Sequence, residues 1–181
     1  MKIFRPFLPV ALLLALTGVA PAGAADTPLA QPLLEGEGLT WEHNQFHFKL
    51  RSVSEGFISS DTFVGDITLC YFWAEGNQSS VDQVGWLSQF WRQYRRLGVQ
   101  FVGFCLDPAP KIDARVFQFA GGPFACVRLP SRLLIESHGP VKGLPMLLIL
   151  SPGGVVARKY EGLFSLEILE KDVLELLREK K

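Results

Sequence analysis

The chain is poor in the residues that carry redox and metal chemistry. Three cysteines (Cys70, Cys105, Cys126) and three histidines (His43, His47, His138) stand among 181 residues, and no Cys-x-x-Cys occurs. An excess of charge of either sign is also missing, with eighteen basic and eighteen acidic residues. That balance gives no electrostatic footprint for nucleic acid or an anionic membrane. Internal repeats are absent, so nothing calls for a solenoid or a second domain.

The apolar run at residues 7–19 follows Lys2 and Arg5 and is too short and badly flanked for a stable membrane span. Ala22-Gly23-Ala24-Ala25 supplies small residues suited to signal-peptidase cleavage. Residues 1–25 are therefore expected to be a signal peptide, and the competing reading is an uncleaved N-terminal anchor, the one expected membrane contact. No cysteine follows directly, which argues against a lipoprotein. Taking away Lys2 and Arg5 leaves sixteen basic residues against eighteen acidic ones. The remaining chain is one domain in size, and domains of this length remove roughly 70% of their unfolded surface from water.

Periodicity organises the rest. Residues 26–40 contain Pro, Gly and Leu without a period and read as a linker or N-terminal arm, with one domain over 41–181. Phe46, Phe48 and Leu50 alternate with Gln45, His47 and Lys49, as in a half-buried edge strand. Residues 67–73 form a continuous apolar strand. Val81, Val84, Leu87, Phe90, Trp91, Tyr94 and Leu97 then recur at helical spacing up to Gly98. A second buried strand covers 99–106, short helices are expected over 112–120 and from Ser131, and Ser151-Pro152-Gly153-Gly154 marks a hairpin between 146–150 and 155–160. Ser165 caps a last amphipathic helix with Leu166, Leu169, Val173, Leu176 and Leu177 inward.

The order strand, helix, strand, helix, hairpin, helix is that of an α/β thioredoxin-like three-layer sandwich with a central mixed sheet. Trp73-Ala74-Glu75 at the end of the first apolar strand resembles the active-site approach of thioredoxins. Val141-x-Gly143-x-Pro145, Ile149-x-x-Pro152-x-Gly154, Arg158 and Gly162 resemble the C-terminal half of periplasmic thioredoxin-like disulfide reductases, the TlpA-like branch used in cytochrome c maturation. The resemblance covers roughly residues 46–180. It implies a cis-proline at Leu144-Pro145 facing the active-site cysteines, and those cysteines at positions 77 and 80.

Asn77 and Ser80 occupy those positions. The family reaction needs a thiolate whose pKa is lowered by a helix N-terminus and a second thiol three residues on; an amide and a hydroxyl supply neither. The buried carboxylate of thioredoxin itself aligns with Tyr71, and the tryptophan of the motif is replaced by Gly76. Ser80-Val81-Asp82-Gln83 fits a capping box, so the vacated site is expected to have become a helix cap at Ser80. Ser79 or Ser80 as a nucleophile needs a base that no motif supplies.

Each cysteine sits in an apolar context and reads as a small buried hydrophobe; the sharper reading is a disulfide or redox pair among Cys70, Cys105 and Cys126, of unassigned connectivity. His43 and His47 fall on one face of the inferred strand, about 13 Å apart at 3.3 Å per residue, too far to share a metal ion. His138 reads as a cation at a helix end. Neither the Cys-x-x-x-Cys of the related copper-delivery proteins nor a peroxiredoxin cysteine turn is present, and no metal or cofactor is expected.

Fold resemblance does not carry activity across a lost motif. The expectation is a redox-inactive periplasmic protein, not an enzyme, that binds a polypeptide partner, with Trp73, Glu75, Gly76, Asn77, Leu144 and Pro145 at the binding surface and a place in envelope protein or cytochrome assembly. The alternatives are a thiol-disulfide oxidoreductase using an off-motif cysteine and a structural subunit of an envelope complex. Trp86, at the edge of its helix's apolar arc, is a further candidate contact residue.

Overall fold

The computed structural model describes residues 38–52, 56–74, 76–106, 125–128 and 143–180, without the side chains of 41–42 and 125–128. The expected signal peptide, most of the arm, the helices over 112–120 and from Ser131, Glu75 and His138 lie outside the described residues.

Two sheets form the frame. Strands β1 (Gly38–Glu42), β2 (Gln45–Arg51) and β3 (Phe57–Ser59) make an antiparallel sheet in the order β1-β2-β3. The central sheet contains β4 (Ile67–Trp73), β5 (Val99–Cys105), β6 (Ala125–Arg128), β7 (Met146–Leu150) and β8 (Val156–Glu161), in the order β6-β5-β4-β7-β8. β4, β5 and β6 are parallel, while β7 runs antiparallel to both β4 and β8. Helix α1 (Gln78–Tyr94) joins β4 to β5 through a 3-10 turn, Arg95–Leu97, and helix α2 (Leu166–Glu179) follows β8.

β4 is buried along its whole length because it is packed on both faces. Its alternate residues divide the core in two. Ile67, Leu69, Tyr71 and Trp73 face the helices, meeting Leu87, Trp91, Leu169 and Val173. Cys70 and Phe72 face the smaller sheet, meeting Phe46, Phe48 and Leu50. Aromatic packing fastens that second layer: the Phe72 and Phe104 rings stack at 4.7 Å, and Phe48 meets Phe104 edge-on at 5.2 Å.

The expected alternation in β2 is present, with Phe46, Phe48 and Leu50 buried and their neighbours exposed. Three details differ from the sequence reading. Residues 38–40, assigned to the arm, pair with β2. His43 is in a turn rather than a strand: His43 and Asn44 both have positive φ, the geometry of a tight two-residue hairpin, so the two histidines do not share a strand face. Leu166, expected inward, is 40% exposed, because it opens the helix beyond the edge of the surface buried by Leu169, Val173 and Leu176.

Gly98 ends the 3-10 turn at φ 85°. A Cβ there would lie 2.5 Å from Lys180 Nζ and 2.8 Å from Asp66 Oδ1. The left-handed backbone calls for glycine at that point, whereas the two side-chain tips can move aside.

Candidate functional site

The mouth of the fold lies where the C-terminal end of β4, the start of α1 and the loop before β7 converge. The antiparallel pairing of Phe72 with Met146 brings Trp73-Ala74 beside Leu144-Pro145, far along the chain. The Leu144–Pro145 peptide is cis, as the resemblance implies.

Asn77, rather than Ser80, caps α1. Its backbone is extended (φ −107°, ψ 100°), and its Oδ1 accepts the Ser80 N–H at 3.0 Å. Asparagine caps as well as serine, and the cap three residues earlier adds a turn to the helix. The other end of the same amide is also used: Nδ2 donates to the Leu144 carbonyl at 3.2 Å. Position 77, where the resemblance places a cysteine, thus joins the helix entrance to the proline loop. From the other side, the Gly162 N–H donates to the Pro145 carbonyl at 2.7 Å. Gly162 has φ 80°, which a side chain would strain. The segments around 77, 145 and 162 are therefore held together by one side-chain and one main-chain hydrogen bond.

Ser80 lies under this surface. It is fully buried, and its Oγ has no hydrogen-bond partner among the described residues. The expected capping box is not formed, because Gln83 is turned inward: the Tyr71 hydroxyl donates to the Ser80 carbonyl at 2.9 Å and lies 3.2 Å from Gln83 Oε1. Burial pushes the Tyr71 hydroxyl well above the ordinary tyrosine range, with the Ser80 contact opposing it. Where the resemblance places a carboxylate, Tyr71 supplies a neutral hydrogen-bond donor. Among the described residues no base lies beside Ser80, and its side chain is closed off from solvent.

The expected binding residues separate into two groups. Gly76 is exposed, and Asn77 and Leu144 are half-buried; Gly143, Gln78 and Ser79 complete the accessible surface. Trp73, at 2% exposure, and Pro145 are buried and contribute only support, as do Ser80 and Met146. A large residue confined to the fully packed β4 cannot also present its face to a partner. Sequence reasoning overlooked Leu163, which is 70% exposed next to Gly162, and the inward Gln83. Trp86 packs edge-on against Phe164 at 5.4 Å and is a core-margin residue.

Cys70 and Cys105 are buried and form no disulfide. Cys70 belongs to the face under the small sheet and Cys105 to the face under the helices, so the thickness of the sheet separates them. Burial raises the Cys70 thiol well above its usual range, which suppresses the thiolate. The backbone of Cys126 pairs with Gly103 in β6. Among the described residues no group of three His, Cys, Asp or Glu is arranged to hold a metal ion, and no helix there is long and apolar enough to cross a membrane.

No protein-family model and no curated protein matches the sequence. Solved structures do match. A thiol:disulfide interchange protein DsbE from Chlorobium tepidum superposes with a TM-score of 0.65 at 21% identity, over 81% of this chain and 99% of that one. Another thioredoxin-family interchange protein from the same organism gives 0.64 at 16%, over 78% and 97%. A secreted Mycobacterium tuberculosis disulfide oxidoreductase homologous to E. coli DsbE gives 0.59 at 14%, over 71% and 95%. The chain has the thioredoxin-like fold.

Proposed function

We propose that this protein is a redox-inactive thioredoxin-like protein of the bacterial periplasm that binds a polypeptide partner across the surface made by residues 76–79 and 143–144. The observation that carries the reading is Asn77. At the position of the family's nucleophile it supplies a cap and a tie to the proline loop, so the surface keeps its shape while the thiols are gone. Exposed Gly76, Gly143 and Leu163 beside half-buried Leu144 leave room for an extended segment and an apolar side chain. The apolar run at 7–19 and the small residues that follow support export, and a place in envelope or cytochrome assembly accords with the interchange proteins of the same fold.

A Cβ at Gly76 or Gly143 meets open space. The double substitution Gly76→Arg, Gly143→Arg therefore adds bulk without straining the fold. It is expected to abolish co-purification of the partner at unchanged melting temperature; a partner retained at the original level overturns the binding surface. Redox inactivity has its own test, alkylation mass spectrometry across graded thiol–disulfide buffers. All three cysteines are expected to keep one state, whereas a reversible two-electron transition above about −300 mV overturns it and returns the off-motif oxidoreductase.

A further inference from the structure

Three buried side-chain atoms have no hydrogen-bond partner among the described residues: Ser80 Oγ, Gln83 Nε2 and Trp91 Nε1. Two of them belong together. Ser80 and Gln83 lie three positions apart on the inner face of α1, and side chains at that spacing are neighbours, with Cβ atoms about 5–6 Å apart. Trp91 stands two turns further on, about 12 Å beyond Gln83 at 1.5 Å per residue, and belongs to another part of the core.

Tyr71 fixes the arrangement. Its hydroxyl lies 2.9 Å from the Ser80 carbonyl and 3.2 Å from Gln83 Oε1, so the Gln83 amide is held against the first turn of α1. The outer atom of that amide, Nε2, carries two N–H donors and meets no acceptor. Ser80 Oγ meets neither a donor nor an acceptor. Residues 0% and 2% exposed cannot satisfy these atoms from bulk solvent, and a buried polar group left unpaired costs about as much as a lost hydrogen bond.

We propose that a single internal water molecule binds here, bridging Ser80 Oγ to the outer atom of the Gln83 amide. The water accepts a hydrogen from Nε2 and donates one to Oγ. With the amide turned over, Nε2 donates to the Tyr71 hydroxyl and Oε1 faces outward; the same bridge then forms with donor and acceptor exchanged. The proposal is therefore indifferent to the orientation of the amide. Internal waters occur about once per 27 residues and make two to four hydrogen bonds to buried groups that lack other partners. No charged side chain takes part in these contacts, so neutral water suits the site better than an ion. The bridge completes a chain from Ser80 through water and Gln83 to Tyr71, which fastens the first turn of α1 to β4. It lies beneath the polypeptide-binding surface and does not depend on it, so either can fail alone.

The test is a crystal structure of the full chain as purified from cells, joined to a double-mutant cycle of Ser80→Ala and Gln83→Leu read by urea unfolding. A solvent peak is expected about 2.7–3.2 Å from both Ser80 Oγ and the Gln83 amide. Each substitution is expected to lower the ratio of folded to unfolded protein. Together they should lower it about fivefold less than the product of the single effects, because either one alone already releases the bridge. Ser80→Ala is the sharper variant, since removing a hydroxyl that is truly unpaired favours folding. A ratio that stays level or rises after Ser80→Ala, effects that simply multiply, or a direct bond from Ser80 Oγ to the Gln83 amide with no solvent peak overturns the proposal. The wild-type peak decides the matter even where a variant does not fold.

Discussion

The two helices begin alike and are used differently. Asn77 and Ser165 each cap their helix by accepting the N–H three residues on, at 3.0 and 3.3 Å. Ser165 is exposed and serves its own helix only. Asn77 has a second functional end, and with it reaches Leu144. The amide carries its acceptor and its donor on separate atoms, so Oδ1 caps the helix while Nδ2 reaches Leu144; a serine hydroxyl has both functions on one atom close to its own backbone. The contrast shows how one side chain can serve both its helix and a distant loop: Asn77 joins the start of α1 to the proline loop, and Ser165 joins nothing beyond its own helix.

Substitutions at the two caps test that contrast most strongly. Asn77→Ala removes a cap, about 1 kcal/mol, and a part-buried tie of similar size, and is expected to lower stability by about 2 kcal/mol in urea unfolding. Asn77→Ser keeps the cap and should recover about half of that; if both variants match wild type, the tie contributes nothing. Next comes Tyr71→Phe, which strips the donor from the Ser80 carbonyl and a polar neighbour from Gln83, and should cost between about 1 and 2 kcal/mol. Because burial favours the neutral hydroxyl, its contribution is full below the ordinary tyrosine pKa of about 10 and declines as pH rises through the higher folded value. Wild type should therefore lose stability above about pH 10 more steeply than Tyr71→Phe, as read by denaturation at fixed pH.

Ser165→Ala should cost about 1 kcal/mol and leave the partner surface untouched; an effect as large as that of Asn77→Ala erases the distinction between the caps. The smallest effect belongs to Asp66. The Gln100 side chain holds its carboxyl below the usual range, against a burial cost, and Lys180 helps. Its contribution is present above about pH 4 and lost as pH falls through the lower folded value. Partial exposure limits this to a few tenths of a kcal/mol, measured as the difference in acid unfolding between wild type and Asp66→Asn.

Legibility followed the strength of local constraints. β4, β5 and the β7–β8 hairpin were readable because continuous apolar runs end at turn residues, and Ser165 was readable because it is the one capping residue just ahead of a periodic stretch. The start of α1 was not, since Asn77, Ser79 and Ser80 can all cap, and the choice depends on the proline loop 67 residues away. β1 was missed because Gly38 and Thr40 interrupt the apolar pattern. Trp73 and Pro145 were expected at the surface and are buried, because burial depends on the strands and loops packed around them. The pairing of Tyr71 with Gln83 has no local signature; it appears only once β4 lies under the first turns of α1.

The division of β4 into two faces has a kinetic meaning as well. Cys70 and Cys105 fall on opposite sides of the central sheet, and once β4 and β5 have paired, no side-chain rotation brings the sulfurs together. In an oxidising compartment their protection therefore depends on timing: sheet formation must outrun thiol oxidation, and any condition that slows β-pairing exposes the chain to a cross-link that the finished fold forbids.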